Sequence, residues 1–329
     1  MARAVALGAI AFCATLILLF GFSNLVSRSA GGPAATPRAA GTGPAPSGSG
    51  QALATSSAAP RPSASGDPVL VGAGDIAACD LDSGAATAKL LDTIEGTVFT
   101  AGDNAYPNGS ADNYRDCYAP TWGRLLDRTR PAAGNHEWET KDLAGYLEYF
   151  GERAAPDGKS WYSYDLGTWH VIVLDSNCTF VGGCLPESAQ GLWLAADLKA
   201  SSATCTMAIW HHPRFSSGEH GSDASMWPFW DALYRAGADV VVNGHDHDYE
   251  RFGPQDPAGR EDQGRGLREF VVGTGGGVLR EFPTTVAHSE VRKAGSLGVI
   301  RFVLHPTSYD WSFIATSGEV EDTGSAACH

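Results

Sequence analysis

Gly102-Asp103-Asn104-Ala105-Tyr106 puts a carboxylate and a phenol three positions apart on one tight loop. A carboxylate has two oxygens and can bridge two cations, and a phenolate is a strong ligand for a hard, highly charged ion such as Fe(III). The loop follows Gly96-Thr97-Val98-Phe99-Thr100-Ala101, a short β-branched and aromatic run that predicts a buried strand. Gly-Asp-Asn alone is ordinary turn chemistry. Its weight comes from four further loops of the same kind, each placed after an apolar run. Val69 to Gly74 leads into Asp75, and Pro131 to Gly134 into Asn135-His136-Glu137. Met207 to Trp210 leads into His211-His212-Pro213, and Asp239 to Gly244 into His245-Asp246-His247-Asp248-Tyr249-Glu250-Arg251. Five strand ends thus present Asp, Asp with Tyr, Asn, His and a pair of His toward what the pattern predicts to be one sheet edge, where open α/β sheets hold their ligands.

The order GD, GDNxY, GNHE, HxP and GHxHxYER, running from about Leu70 to Arg251, resembles the purple acid phosphatase branch of the calcineurin-like metallophosphoesterases. Tyr106, at the fourth position after Gly102, is the feature that separates this branch from other members. The resemblance implies an α/β fold, a four-layer α-β-β-α sandwich of two mixed sheets. It also implies two metal ions: Asp75, Asp103, Tyr106 and His247 around Fe(III), with Asp103 (bridging), Asn135, His211 and His245 around a divalent Fe, Zn or Mn ion. The implied reaction is hydrolysis of phosphate monoesters by in-line attack of a metal-bound hydroxide. His136 and His220 match histidines of the family that hold the phosphate or protonate the leaving alcohol. A phosphodiesterase or nucleotide hydrolase on the same scaffold, and an inactive surface binding protein, are the rival expectations. His212 is expected to point away from the metals and Glu250 with Arg251 to form an ion pair below the site, while Tyr249, Glu137 and Trp138 shape the cleft.

Strands and helices must carry these loops. Strands are expected at Trp161–Leu166, His170–Asp175, Glu269–Val272, Val299–Leu304 and Tyr309–Ile314. Helices are expected over Ala85–Ile94, capped by Ser83, over Ala189–Ala200, and over Met226–Ala236 with Gly237 as the stop. Thr274-Gly275-Gly276-Gly277 lacks the Lys and helix start of a phosphate loop and reads as a glycine turn.

The chain has 329 residues, 43% hydrophobic and 18% charged, a globular balance. A formal charge of −14 argues against nucleic acid as a structural partner or an anionic membrane held by bulk attraction. It leaves a phosphate ester as the substrate, since a metal site sets its own local field. Residues 1–28 contain an apolar run from Ala4 to Phe22 after Arg3, and predict a signal peptide or N-terminal signal anchor. Cys13 within it has no convincing lipobox. Residues 29–67 are Ala, Gly, Pro, Ser and Thr with almost no large apolar side chains, and predict a disordered linker; residues 68–329 are the expected catalytic domain. The predicted location is extracytoplasmic, secreted or anchored to the outer face of the membrane. Six cysteines beyond the linker then favour disulfides over metal thiolates. Cys178 with Cys184 closes a short loop, and Cys79–Cys117 and Cys205–Cys328 are the expected remaining pairs.

Overall fold

Two mixed sheets are laid down by the apolar runs. In the computed structural model, residues 66–329 are described; the apolar N-terminal run, Cys13 and nearly all of the expected linker lie outside them. The strands are β1 (Val69–Ala73), β2 (Thr97–Ala101), β3 (Thr129–Ala132), β4 (Tyr162–Leu166), β5 (Trp169–Val173), β6 (Cys205–Ile209) and β7 (Val240–Asn243). They continue as β8 (Tyr249–Phe252), β9 (Arg268–Val272), β10 (Ser289–Lys293), β11 (Gly298–His305), β12 (Ser308–Ala315) and β13 (Val320–Ala327). One sheet runs in the order β13-β12-β11-β1-β2-β3, the other β10-β8-β9-β7-β6-β5-β4. β1, β2 and β3 are mutually parallel, as are β5, β6, β7 and β9, so each parallel set ends on a common edge.

Side-chain alternation shows why the second sheet's strands read as unbroken apolar runs. Met207 and Ile209 of β6, Val240 and Val242 of β7, and Phe270 and Val272 of β9 pack in the core shared with the first sheet. Ala208, Val241 and Val271 face the opposite side, where they meet Leu194 of α4 (Ala189–Ala200) and Phe229, Trp230 and Leu233 of α5 (Trp227–Ala236). A strand buried on both faces has no polar face to alternate with. Ala88 and Leu91 of α1 (Ser83–Asp92) are buried against the first sheet's side of the core. Helices on the outer sides of two facing sheets give the expected four layers. Ser83 does not cap α1; its hydroxyl donates to the Gly276 carbonyl, tying the helix start to the glycine turn.

The sheets are also joined by polar contacts. Asp322 of β13 accepts from Tyr249 Oη at 2.7 Å and Arg251 Nε at 2.7 Å on β8, and from Trp311 Nε1 at 3.1 Å on β12. The three expected disulfides are those observed, with Cα–Cα distances of 4.9 Å (Cys79–Cys117), 5.1 Å (Cys178–Cys184) and 5.5 Å (Cys205–Cys328). Among the described residues no helix is long and apolar enough to cross a membrane.

His170 of β5 lies between two carboxylates, with Nε2 2.8 Å from Asp197 Oδ2 and Nδ1 2.9 Å from Asp165 Oδ1. The Asp197 bond leads the effects on this ring and, with Asp165, raises its pKa against burial. A folded-state pKa above the unfolded one stabilises below the unfolded value and is lost as pH rises through the folded value. His170→Gln is therefore expected to lower the thermal midpoint more at pH 5.5 than at pH 9, by about 2–4 °C for each ~1 kcal/mol removed from a domain of this size. An equal loss at both pH values in calorimetric scans refutes the charged state of His170.

Candidate metal centre

The ends of β1, β2 and β3 in one sheet and of β6 and β7 in the other carry the seven donor residues singled out in the sequence, and all seven converge. The expected single edge is therefore two edges, one from each sheet. Three of the donors, Asp75, Asp103 and His245, have φ of 58°, 49° and 72°, in the left-handed region that non-glycine residues seldom occupy. Such backbone strain is tolerated where surrounding structure imposes it, which is characteristic of functional sites.

Two groups of donors share Asp103. Tyr106 Oη lies 2.9 Å from Asp75 Oδ1, 3.2 Å from Asp103 Oδ2 and 3.0 Å from His247 Nε2. On the other side, His211 Nε2 lies 3.0 Å from Asn135 Oδ1, 3.3 Å from Asp103 Oδ2 and 3.2 Å from His245 Nδ1. His247 Nδ1 donates to the Val278 carbonyl at 2.8 Å, and His211 Nδ1 to the Ala101 carbonyl at 2.8 Å. Each ring's Nδ1 proton is thereby taken up by a carbonyl and its Nε2 faces the centre, the second support that metal-ligating histidines need. Asp75 is wholly buried and Asp103 is 2% exposed, and among the described residues neither is paired with Lys or Arg. Two buried carboxylates without a Lys or Arg partner, amid imidazole, amide and phenol groups, fit a pair of cations.

A buried glutamate holds the two donor loops of the first sheet together. Glu137 Oε2 accepts from the backbone N–H of Gly134 at 2.7 Å and of Asp103 at 3.0 Å. Its Oε1 accepts from Asn104 N at 2.9 Å and Tyr114 Oη at 3.1 Å. Glycine is required beside these groups. A Cβ on Gly102, whose φ is +87°, would lie 2.5 Å from His211 Nδ1, and one on Gly134 would lie 2.1 Å from Asp103 Oδ1. The glycine turn closes the other side: Gly275 N donates to Gly74 O at 2.9 Å and Gly277 N to Asp75 O at 2.7 Å.

Charge in the site follows from these contacts. Burial pushes the Asp103 carboxyl up, but the adjoining His211 ring, followed by His136, holds it below the usual carboxylate range. Burial opposes protonation of His211, and Asp103 overcomes it, taking the ring to about 10. His245 shifts down, first through burial and then through repulsion from His211. Burial raises the Tyr106 phenol well above its ordinary value, with Asp75 and Asp103 adding to it.

A cleft of about 320 Å³ opens over the donors. His136 and His220 line it together with Asp103, Tyr106, Asn135, His245 and His247. The His136 N–H donates to Asp103 Oδ1 at 3.0 Å, and its Nδ1 contacts the Pro107 carbonyl. The His220 ring stacks on His245 with centroids 4.4 Å apart. His212 packs 4.4 Å from the His245 ring, while its Nδ1 bonds Ser176 Oγ at 2.7 Å. It thus backs a donor rather than pointing clear of the site.

Two expectations about the GHxHxYER segment are overturned. Glu250 and Arg251 do not pair, because adjacent residues of a strand face opposite sides. Glu250 accepts from Ser217 N and Oγ at 2.7 and 2.6 Å, whereas Arg251 pairs with Asp322 and Glu290. Tyr249 is wholly buried and stacks on Phe313 in the core, away from the cleft. Trp138 stacks on Phe180 at 5.0 Å, outside the cleft lining. Sequence reasoning missed Asp246, whose Oδ1 and Oδ2 accept from His220 N at 2.7 Å and Gly221 N at 3.1 Å and so anchor the His220 loop. Its place between two histidine donors was the available signal. Arg280, also in the cleft lining, belongs to no motif.

A family model described as calcineurin-like phosphoesterase matches residues 73–249. Purple acid phosphatase 21 of Arabidopsis thaliana is 33% identical over 166 residues, 43% of this chain and 37% of the relative. The chain thus spans well under half the length of that relative. Among solved structures, purple acid phosphatase PPD1 from yellow lupin seeds aligns with a TM-score of 0.60 at 18% identity, covering 79% of this chain and 53% of that one. GAP50, the anchor in the inner membrane complex of Plasmodium, aligns with a TM-score of 0.63 at 14% identity, covering 80% and 89%. At these identities the two structures share the fold.

Proposed function

The chain belongs to the calcineurin-like phosphoesterase family, and on that premise we propose that it is a phosphomonoesterase working with two metal ions. Asp75, Asp103, Tyr106 and His247 are the ligands proposed for Fe(III), and Asp103, Asn135, His211 and His245 those for a divalent Fe, Zn or Mn ion. The observation that carries this reading is Asp103, a buried carboxylate within 3.3 Å of both Tyr106 Oη and His211 Nε2, the central atoms of the two donor groups. When bound, such a pair orients a phosphate ester, stabilises charge on its oxygens and lowers the pKa of water so that a nucleophile exists at ordinary pH.

The chain's own groups do the rest. His136 and His220 stand at the cleft, where each can donate to a phosphate oxygen and hand a proton to the departing alkoxide. Contact of His136 Nδ1 with the Pro107 carbonyl leaves Nε2 for that task. Hydrolysis of nitrophenyl phosphate well above that of the bis(nitrophenyl) diester supports the monoesterase reading; the reverse preference overturns it. The three disulfides support a location outside the cytoplasm.

Colour tests Tyr106. A phenolate on Fe(III) absorbs visible light by charge transfer to the metal. Oxidised, iron-loaded protein is expected to absorb broadly in the visible, and Tyr106→Phe to bleach it while keeping the far-ultraviolet dichroism of the wild type. Colourless wild-type protein with ferric iron bound refutes the ligand role of Tyr106.

A further inference from the structure

We propose that Arg280 selects phosphate esters whose leaving group carries a second anion, a carboxylate or another phosphate; this rests on the phosphatase reading above. Among the described residues that line the cleft Arg280 is the only Lys or Arg, on a chain whose formal charge is −14. Its position is built. The Arg280 N–H donates to the His247 carbonyl at 3.0 Å, and the His247 ring bonds Val278 O, so the segment is tied to a proposed ligand at two points. The side chain is 34% exposed.

Its partner is Glu219, with Nη1 3.0 Å from Oε2, and Glu219 itself is 59% exposed. Asp246 fixes the backbone on which Glu219 sits, through the N–H groups of His220 and Gly221. The pair therefore joins two anchored loops at the lip of the cleft. One bond to an exposed carboxylate in water is weak. Glu219 engages a single guanidinium nitrogen, whereas a carboxylate or phosphate on a bound ester can take the planar fork bidentately. Leu81 and Val278, 38% and 64% exposed, give the cleft an apolar wall for the carbons between the two anions. His136 and His220 in the lining are assigned to the reacting phosphate, which leaves Arg280 as the lining group to receive the second anion.

The test compares two esters differing in one group: glyceric acid and glycerol, each phosphorylated on a terminal hydroxyl. Wild-type metal-loaded protein is expected to favour the acid by about tenfold in kcat/KM, through KM, the scale of one charge-assisted contact. Arg280→Met brings that ratio to about one, Arg280→Lys keeps part of it, and Glu219→Gln raises it by freeing the guanidinium. A wild-type ratio near one, or an Arg280→Met variant that slows both esters equally, overturns the proposal. Calorimetric titration with the same esters reads the preference without turnover. Protein that hydrolyses no ester yet binds the acid about tenfold tighter in an Arg280-dependent way keeps Arg280's role and removes the phosphatase reading.

Discussion

Asp103→Ala is expected to lose both metal ions and lower kcat/KM by about 10³-fold or more, since several kcal/mol of transition-state stabilisation depend on the bound pair. Its carboxylate is the group within reach of both donor clusters, 3.2 Å from Tyr106 and 3.3 Å from His211. Asp75 meets the donor atoms of Tyr106 and His247 in one cluster and only the backbone N–H of His245 in the other, so Asp75→Ala should chiefly release the proposed trivalent ion. Position 103 also has φ +49°, so alanine adds backbone strain. Asp103→Asn is the control, because asparagine tolerates that conformation while carrying one acceptor oxygen and no charge. Elemental analysis is decisive: two metals per chain and near-normal turnover in either variant reject Asp103 as the shared ligand.

Glu137→Ala is expected to be the most damaging substitution outside the proposed ligands. It would leave the N–H groups of Gly134, Asp103 and Asn104 and the Tyr114 hydroxyl buried with no acceptor. At about 1–3 kcal/mol for each unsatisfied group, with partial relaxation, a loss of roughly 3–5 kcal/mol in stability follows. These donors hold the loops that carry Asp103 and Asn135. A displacement of about 1 Å there costs on the order of 10²-fold in rate. Glu137→Gln separates the effects: it preserves volume but turns an NH₂ toward backbone donors, so it should lose activity as well as stability. Denaturant midpoints within 0.5 M of wild type for both variants, a span of about 1 kcal/mol on typical slopes, would remove this account.

The proposed donors were legible because metal chemistry restricts residue type and the end of a strand restricts position. Asp75, Asp103, Tyr106, Asn135, His211, His245 and His247 all lie in the short loops that follow β1, β2, β3, β6 and β7, and a short loop gives such residues few other places to go. What lies next to them in space but far in sequence left no pattern. Glu250 and Arg251 looked like a pair because they are adjacent, yet strand alternation sends them to opposite faces, toward Ser217 and toward Asp322. Tyr249 stands inside a motif of ligands and nonetheless serves the core, because it is one residue into β8. The meeting of two sheet edges, rather than one, depends on β5 pairing with β6 instead of β3, a choice made by long-range packing.

The first sheet has a consequence for how the chain is made. β1 lies between β2 and β11, and Val69 is matched with Val303, so its second neighbour is synthesised more than two hundred residues after it. Growth from the N-terminus leaves one side of β1 unpaired until β11 has emerged, and the Cys205–Cys328 bond must wait longer still. Pairings this distant are slow to form, and an open strand edge invites association with other chains meanwhile. The nascent protein therefore depends on whatever keeps it soluble and apart until β11, β12 and β13 arrive.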